Sequence, residues 1–292
     1  MSYKALKNIL ELSKVKITVA VSLTTITGYV LGRGKFDWGF VAVTVGIFFL
    51  ACASSVLNHI QESAMDAQMK RTRNRPIPLG SVGIKQAAVL ALTETVAGIT
   101  ILFIWAESYA LILGLLAMIW YNGIYTYLKR ITPHAVIPGS LIGAIPPLAG
   151  WVESGASLLD YRAWAMALFF FVWQVPHFYL LILKYGPEYE KAGFPSLTSI
   201  HSNTTIRLMI FLWVVATAFF ALSLYYFGVI SSVVTMILVI VMSLWLIIAF
   251  MLPLIINRKE FNPFKFFMRI NYYVLVIIIV LNLDHLFQKY FA

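Results

Sequence analysis

Apolar stretches of roughly 17–25 residues recur along this chain, and their length limits the folds open to it. Each is long enough, as a helix, to cross a hydrocarbon core of about 30 Å. Nine such stretches lie near residues 15–32, 38–60, 84–105, 109–128, 134–151, 160–182, 205–227, 229–256 and 269–289. Only 12% of the residues are charged, about half the share in a soluble domain. The sequence therefore predicts an all-α polytopic membrane protein, with residues 1–292 forming a single domain.

Positive charge is distributed unevenly between the two ends of the predicted helices. If the N-terminus is cytoplasmic, all but four of the 22 Lys and Arg residues fall on that side; the four are Arg33, Lys35, Arg162 and Lys289. Because cytoplasmic loops are enriched in Lys and Arg, this asymmetry predicts an N-in, C-out topology. Topology thereby accounts for the net charge of +10, and nucleic acid is not an expected partner.

The first residues carry neither a cleavable signal pattern nor an Arg- and Ser-rich transit extension. We therefore expect a multi-pass protein of a bacterial or archaeal plasma membrane, such as the cell inner membrane. The two longest connections, residues 61–83 and 183–204, follow spans two and six and lie on the predicted cytoplasmic side.

An acidic pattern ends the second apolar stretch. Asn58, Glu62 and Asp66 are spaced by four, so a helix places them on one face. Two like charges at this spacing destabilise a helix, whereas a shared Mg²⁺ would stabilise them. The cations that follow suit phosphate groups, and they are Lys70, Arg71, Arg73 and Arg75. The pattern favours a metal–diphosphate site over the alternative, a solvated helix end whose charges only face water.

Helix breakers in the fifth and sixth spans indicate a cavity. Pro146 and Pro147 remove backbone donors in span five, and Pro176 does so in span six. Inside a membrane, such breaks are tolerated where the backbone is buried in protein or lines a cavity. His177, beside Pro176, is either functional or a partner for the loosened backbone.

Three further groups have two interpretations each. Lys129 and Arg130 end span four; they either extend to the membrane interface, as cations at helix ends commonly do, or bind phosphate. Glu188 lies in the second long cytoplasmic connection and is a solvated loop residue, unless that loop folds over the first acidic pattern. Glu94, in the middle of span three, is either functional or a buried protonated carboxyl.

Four blocks of this chain resemble a known family. Residues 58–76 are similar to the first acidic motif of the UbiA-type intramembrane prenyltransferases. Residues 125–130, residues 143–151 and residues 173–195 narrow the resemblance to the haem O synthases, or protohaem IX farnesyltransferases. The order and intervals of the blocks agree over roughly residues 54–200. The chain departs from the family at Glu188, where aspartate is usual, and at Ala135, where asparagine is common. It also lacks the second paired-aspartate motif of aromatic-acceptor relatives.

The resemblance implies nine helices around a central cavity that opens to the cytoplasm. It implies Mg²⁺-dependent transfer of a farnesyl group from farnesyl diphosphate to a vinyl group of haem B, with addition of water, giving haem O and diphosphate. Membrane lipid surrounds such an enzyme, and a haem A synthase or a terminal oxidase assembly is a candidate partner.

The resemblance also implies roles for individual residues. Asn58, Glu62 and Asp66 are expected to hold Mg²⁺ and, with Lys129, to be catalytic. The diphosphate would be bound by Lys70, Arg71, Arg75 and Arg130. Trp173 and His177 would contact the haem through its iron, a propionate or the attacking water, and Glu188 is a candidate loop acid.

Two other functions remain open at this stage. The first is prenylation of an aromatic quinone precursor by another enzyme of the same superfamily. The second is secondary transport, because transporters also combine broken helices with acidic groups inside the membrane.

Overall fold

A computed structural model describes residues 3–33, 37–256 and 261–291. Within these ranges the chain forms helices α1 (Tyr3–Leu12), α2 (Val15–Arg33), α3 (Trp38–Asp66), α4 (Ile84–Trp105), α5 (Ser108–Ile119), α6 (Thr126–Leu128), α7 (Val136–Gly139), α8 (Leu141–Glu153), α9 (Tyr161–Lys191), α10 (Leu197–Ile200), α11 (Asn203–Tyr226), α12 (Val233–Met251) and α13 (Pro263–Phe291). A π-helical turn (Trp120–Tyr125) joins α5 to α6, and a 3₁₀ turn (Pro133–Ala135) precedes α7.

The all-α prediction and the nine spans are confirmed within the described residues. Nine helical spans there are long and apolar enough to cross a membrane. The N-in, C-out orientation stays a prediction. Three residues of the charge comparison lie outside the described ranges, and they are Lys35, Arg258 and Lys259.

Two helices extend beyond the apolar stretches that predicted them. Helix α3 continues to Asp66, so the whole acidic pattern is helical. Helix α9 continues to Lys191, through Pro176 and Pro187, where the sequence suggested a loop. Packing supports this extension, because Tyr189 in the last turn of α9 lies against a small cluster that includes Met69.

Helix α8 is the most deeply buried span, and two glycines explain how it packs. A Cβ atom at Gly28 of α2 would overlap the carbonyl oxygen of Pro147, and one at Gly150 would overlap the carbonyl oxygen of Thr25. The backbones of α2 and α8 therefore touch directly. This contact fixes the proline-containing segment of α8, which forms part of the wall of an interior cavity.

Candidate active site

A cavity of about 780 Å³ lies between the helices. Its charged end forms where α3, α6 and α9 end and α2 begins, which is one side of the bundle. The charged side chains lining it are Glu11, Lys14, Lys16, Glu62, Asp66, Arg71, Arg75 and Lys129. Five cations thus face three carboxylates. This excess of positive charge suits an anionic ligand.

The three residues of the acidic pattern all reach this cavity. Asn58, Glu62 and Asp66 are buried, and each contributes to the cavity wall. The spacing of four places them along one face of α3, as the sequence indicates. The alternative of a solvated helix end is therefore excluded.

Both carboxylates in this pattern have a cationic partner. Lys129 forms an ion pair with Glu62, and Arg75 Nη1 lies 2.7 Å from Asp66 Oδ2. The loop that follows α3 folds back toward the end of that helix, where Thr72 Oγ1 donates a hydrogen bond to the carbonyl oxygen of Asp66 (2.9 Å). This fold brings Arg75 next to Asp66. Two of the cations proposed from sequence thus line the cavity next to the acids.

The site suits a divalent cation that is held partly by protein side chains and partly by the phosphate oxygens of a bound substrate. Asp66 Oδ1 is buried and has no hydrogen-bond partner among the described residues. No cluster of three His, Cys, Asp or Glu side chains suited to a metal occurs in the same part of the chain. Two carboxylates and the Asn58 amide oxygen are nevertheless an appropriate set for Mg²⁺, which commonly binds one or two carboxylates together with substrate phosphate oxygens.

Lys14 also lines the cavity, and sequence reasoning does not find it there, because the sequence presents it only as one of several cytoplasmic cations. Its Nζ donates a hydrogen bond to Asn58 Oδ1 at 3.0 Å. Burial inside the cavity, together with the charge of Arg75, lowers the pKa of Lys14 to about 7. The contact joins residues 44 positions apart, so no local spacing could reveal it.

Of the other three predicted diphosphate contacts, one lines the cavity and two do not. Arg71 lines the cavity and stacks on Tyr185, with 4.8 Å between its Cζ and the ring centroid. Lys70 is exposed and does not belong to the cavity wall. Arg130 also lies outside the wall, because its Nη2 donates to the carbonyl oxygen of Gln61 at 2.8 Å.

Glu188 is close to the acidic pattern despite its distance in sequence. It lies in the last turns of α9, and its Oε2 accepts a hydrogen bond from the backbone N–H of Arg71 at 3.1 Å. Residue 188 is thus helical rather than part of a loop, and Glu188 links the end of α9 to the basic loop that follows α3. Of the two interpretations, this contact agrees with the one in which the segment reaches the acidic pattern, and the role of Glu188 as a candidate acid stays a prediction.

Trp173 and His177 line the cavity from α9. Their rings make an edge contact with centroids 5.3 Å apart. His177 Nδ1 is 2.8 Å from Asn271 Oδ1, which orients the imidazole from α13. Trp173 Nε1 is buried without a hydrogen-bond partner among the described residues. Asn271 was not singled out in the sequence, because a lone asparagine in an apolar span gives no pattern.

Aromatic rings form the wall beside the charged end. Tyr121 and Tyr125 stack with centroids 5.8 Å apart, and Lys129 Nζ lies 5.7 Å from the Tyr125 ring centroid. Both tyrosines belong to the π-helical turn that interrupts span four. Such turns frequently occur at functional sites.

Comparisons with known proteins agree with this architecture. Residues 21–271 match the UbiA prenyltransferase family. The chain is 34% identical over 226 residues to Protoheme IX farnesyltransferase 2 of Pseudoalteromonas atlantica, an alignment covering 76% of this chain and 74% of that protein.

Solved structures show the same fold. A structure of digeranylgeranylglyceryl phosphate synthase has a TM-score of 0.78 at 18% identity, covering 96% of this chain and 98% of that one. A UbiA homolog from Archaeoglobus fulgidus bound to GPP and Mg²⁺ has a TM-score of 0.68 at 12% identity, covering 96% and 99%. The chain therefore belongs to the UbiA prenyltransferase family of membrane enzymes.

Proposed function

We propose that this enzyme transfers a farnesyl group from farnesyl diphosphate to a vinyl group of haem B and produces haem O. The observation that carries the proposal is the cavity itself. Its charged end suits a metal-bound diphosphate, and its wall continues to Trp173 and His177, which suit a large aromatic acceptor. The similarity to protohaem IX farnesyltransferases supports the choice of acceptor.

The charged end would bind and orient the leaving group. Asn58, Glu62 and Asp66 are the side chains that would hold Mg²⁺, which, when bound, stabilises the negative charge developing on the diphosphate. Lys129, Arg71 and Arg75 are the cations that would contact its oxygens. Arg forms paired hydrogen bonds with phosphate, and Lys acts as a point charge. Lys129 and Arg75 would exchange part of their pairing with Glu62 and Asp66 for the diphosphate.

The aromatic wall would protect the reacting carbon. As the C1–O bond of farnesyl diphosphate breaks, positive charge develops on the allylic group and the electron pair leaves with the diphosphate. The faces of Tyr121 and Tyr125 can stabilise that charge. Their rings also exclude water from the allylic carbon, which limits hydrolysis of the farnesyl group.

The vinyl group of haem B then forms a C–C bond to carbon 1 of the farnesyl chain. Positive charge moves to the vinyl carbon next to the porphyrin ring. Water adds there and loses a proton, which leaves a hydroxyethylfarnesyl side chain. We assign orientation of the haem to Trp173 and His177, with Asn271 fixing the imidazole. The Lys- and Arg-rich connections that follow α3 and α9 support a charged end on the cytoplasmic side of a plasma membrane.

A product assay tests the proposal. Purified protein is incubated with haem B, farnesyl diphosphate and Mg²⁺, with 4-hydroxybenzoate offered in a parallel reaction, and products are identified by mass spectrometry. We expect haem carrying one hydroxyethylfarnesyl group, and none when Mg²⁺ is chelated. Prenylated hydroxybenzoate alone would assign the enzyme to an aromatic quinone precursor instead. The absence of any Mg²⁺-dependent product would overturn both assignments and leave transport as the remaining function.

A further inference from the structure

His59 is a buried cavity residue that the mechanism above does not use. It is only 1% exposed and it lines the cavity one position after Asn58. Neither ring nitrogen has a hydrogen-bond partner among the described residues. An imidazole always has at least one N–H donor, and burial of an unpaired donor is unfavourable. The ring is therefore placed to donate to a ligand.

The charges around His59 indicate what kind of ligand this is. The charged groups that act on it electrostatically are Lys14 and Arg75, and both line the same cavity. A ring N–H donor that shares a cavity with two cations is complementary to an anion. Since Arg75 already belongs to the proposed diphosphate site, the anion site around His59 is continuous with it.

Lys14 has an unusual backbone conformation that brings it to this position. Among the described residues it is the one non-glycine with positive φ, at 45°. Residues in this region are strained, and such strain concentrates at functional sites. The strained residue separates α1 from α2 and directs its Nζ toward Asn58. An ammonium group has three donors, so Lys14 can contact Asn58 and a ligand at once.

Two buried hydrogen bonds hold the chain just before Lys14. Ser13 Oγ donates to Glu94 Oε1 at 2.6 Å, and Ser55 Oγ donates to the carbonyl oxygen of Leu12 at 2.9 Å. These bonds tie the break between α1 and α2 to α4 and α3. Glu94 thereby gains a role as a positioning residue for Lys14.

We propose that Lys14 and His59 form a further part of the diphosphate site, in which Lys14 supplies a charge and His59 a ring N–H to the same phosphate oxygens. This inference rests on the proposed function, because it extends the site of that substrate. It assigns substrate binding to residues outside the acidic pattern and its basic loop.

Binding of magnesium pyrophosphate, measured by calorimetry on purified protein in detergent, tests the pair. Lys14→Gln and His59→Phe are each expected to weaken binding about 10- to 100-fold, the equivalent of one charge-assisted hydrogen bond. Lys14→Arg should retain most of the affinity. Matched controls are Lys7→Gln, on the exposed face of α1, and His285→Phe, which removes a half-buried imidazole outside the cavity. Both controls should bind as the wild type does.

Glu94→Leu separates a binding role from misfolding. It should weaken pyrophosphate binding in the wild type but not in the Lys14→Gln background, because it acts through Lys14. Wild-type affinity in folded Lys14→Gln and His59→Phe, or an equal effect of Glu94→Leu in both backgrounds, would overturn this inference and leave the proposed function intact. A wild-type protein that binds neither pyrophosphate nor farnesyl diphosphate would remove the proposed function, and this inference with it.

Discussion

Arg75 and Asp66 are direct partners, with 2.7 Å between Nη1 and Oδ2. A cation assigned to the diphosphate is thus paired with a carboxylate assigned to the metal. Asp66 is buried and Arg75 largely so, and loss of one member of such a pair leaves a buried charge without compensation. Substitutions at this pair are therefore expected to affect both activity and stability, and the two effects need separate measurements.

Asp66→Asn should lower farnesyl transfer by at least about 100-fold, because a metal ligand is lost. It should also lower the thermal midpoint, since Arg75 loses its counter-charge. Adding Arg75→Gln should recover part of the stability but none of the activity. Glu107→Gln, which changes an exposed carboxylate outside the cavity, is the control. Full turnover in Asp66→Asn would exclude Asp66 as a metal ligand.

Lys129 and Arg130 are adjacent in sequence but should behave differently. Lys129 pairs with Glu62 inside the cavity, so Lys129→Gln should reduce turnover by about 100-fold or more. Arg130 donates to the Gln61 carbonyl and stacks on Tyr127 outside the cavity wall. Arg130→Gln should lower the thermal midpoint while KM for farnesyl diphosphate stays within about threefold. The comparison uses steady-state kinetics and thermal unfolding in detergent. Equal kinetic losses would place Arg130 in the site.

The haem assignment predicts a selective defect. His177→Phe keeps an aromatic ring against Trp173 and Phe267 but removes both ring nitrogens. We expect haem B to bind at least about tenfold more weakly, because one polar contact is lost. The KM for farnesyl diphosphate should stay unchanged. Asn271→Leu should cause a smaller defect of the same kind. Haem titration followed by absorbance measures both, and unaltered haem binding in His177→Phe contradicts the assignment.

The acidic pattern and the spans could be predicted because both depend on local periodicity. Asn58, Glu62 and Asp66 share a helix face whatever surrounds that helix, and span length follows from the bilayer. Lys14 and Glu188 could not be placed in this way. Their contacts with Asn58 and Arg71 join distant parts of the chain and depend on how α2 and α9 pack. The sequence also cannot separate Lys129 from Arg130, because it does not distinguish the face of a helix end that points into the cavity from the face that points away from it. The role of Arg130 in diphosphate binding stays a prediction.

The backbone contact between α2 and α8 predicts where the fold tolerates no side chain. Gly28→Ala would force a methyl group into the carbonyl of Pro147, so we expect a loss of at least about 1–3 kcal/mol in unfolding free energy. Gly83→Ala is the matched control, since a Cβ there meets only the end of Gln86 at 3.8 Å. Thermal unfolding in detergent measures both variants. Equal midpoints for Gly28→Ala and the wild type would show that α2 and α8 separate easily.

The positive φ of Lys14 predicts that stability and binding can be separated at this residue. Glycine adopts φ near 45° without strain, whereas other residues lose about 1–3 kcal/mol in such conformations. Against this, glycine lowers stability by about 0.4–1 kcal/mol through the entropy of the unfolded chain. The strain is the larger effect, so Lys14→Gly should unfold about 2–4 °C above Lys14→Gln. Both variants should bind magnesium pyrophosphate equally weakly.

The control is Lys16, which lies inside α2. There the order of the midpoints for the Gly and Gln variants should reverse, because glycine costs a helix about 1 kcal/mol relative to alanine. If Lys14→Gly were the less stable of its pair, the break between α1 and α2 would carry no strain, and the conformation of Lys14 would need another explanation.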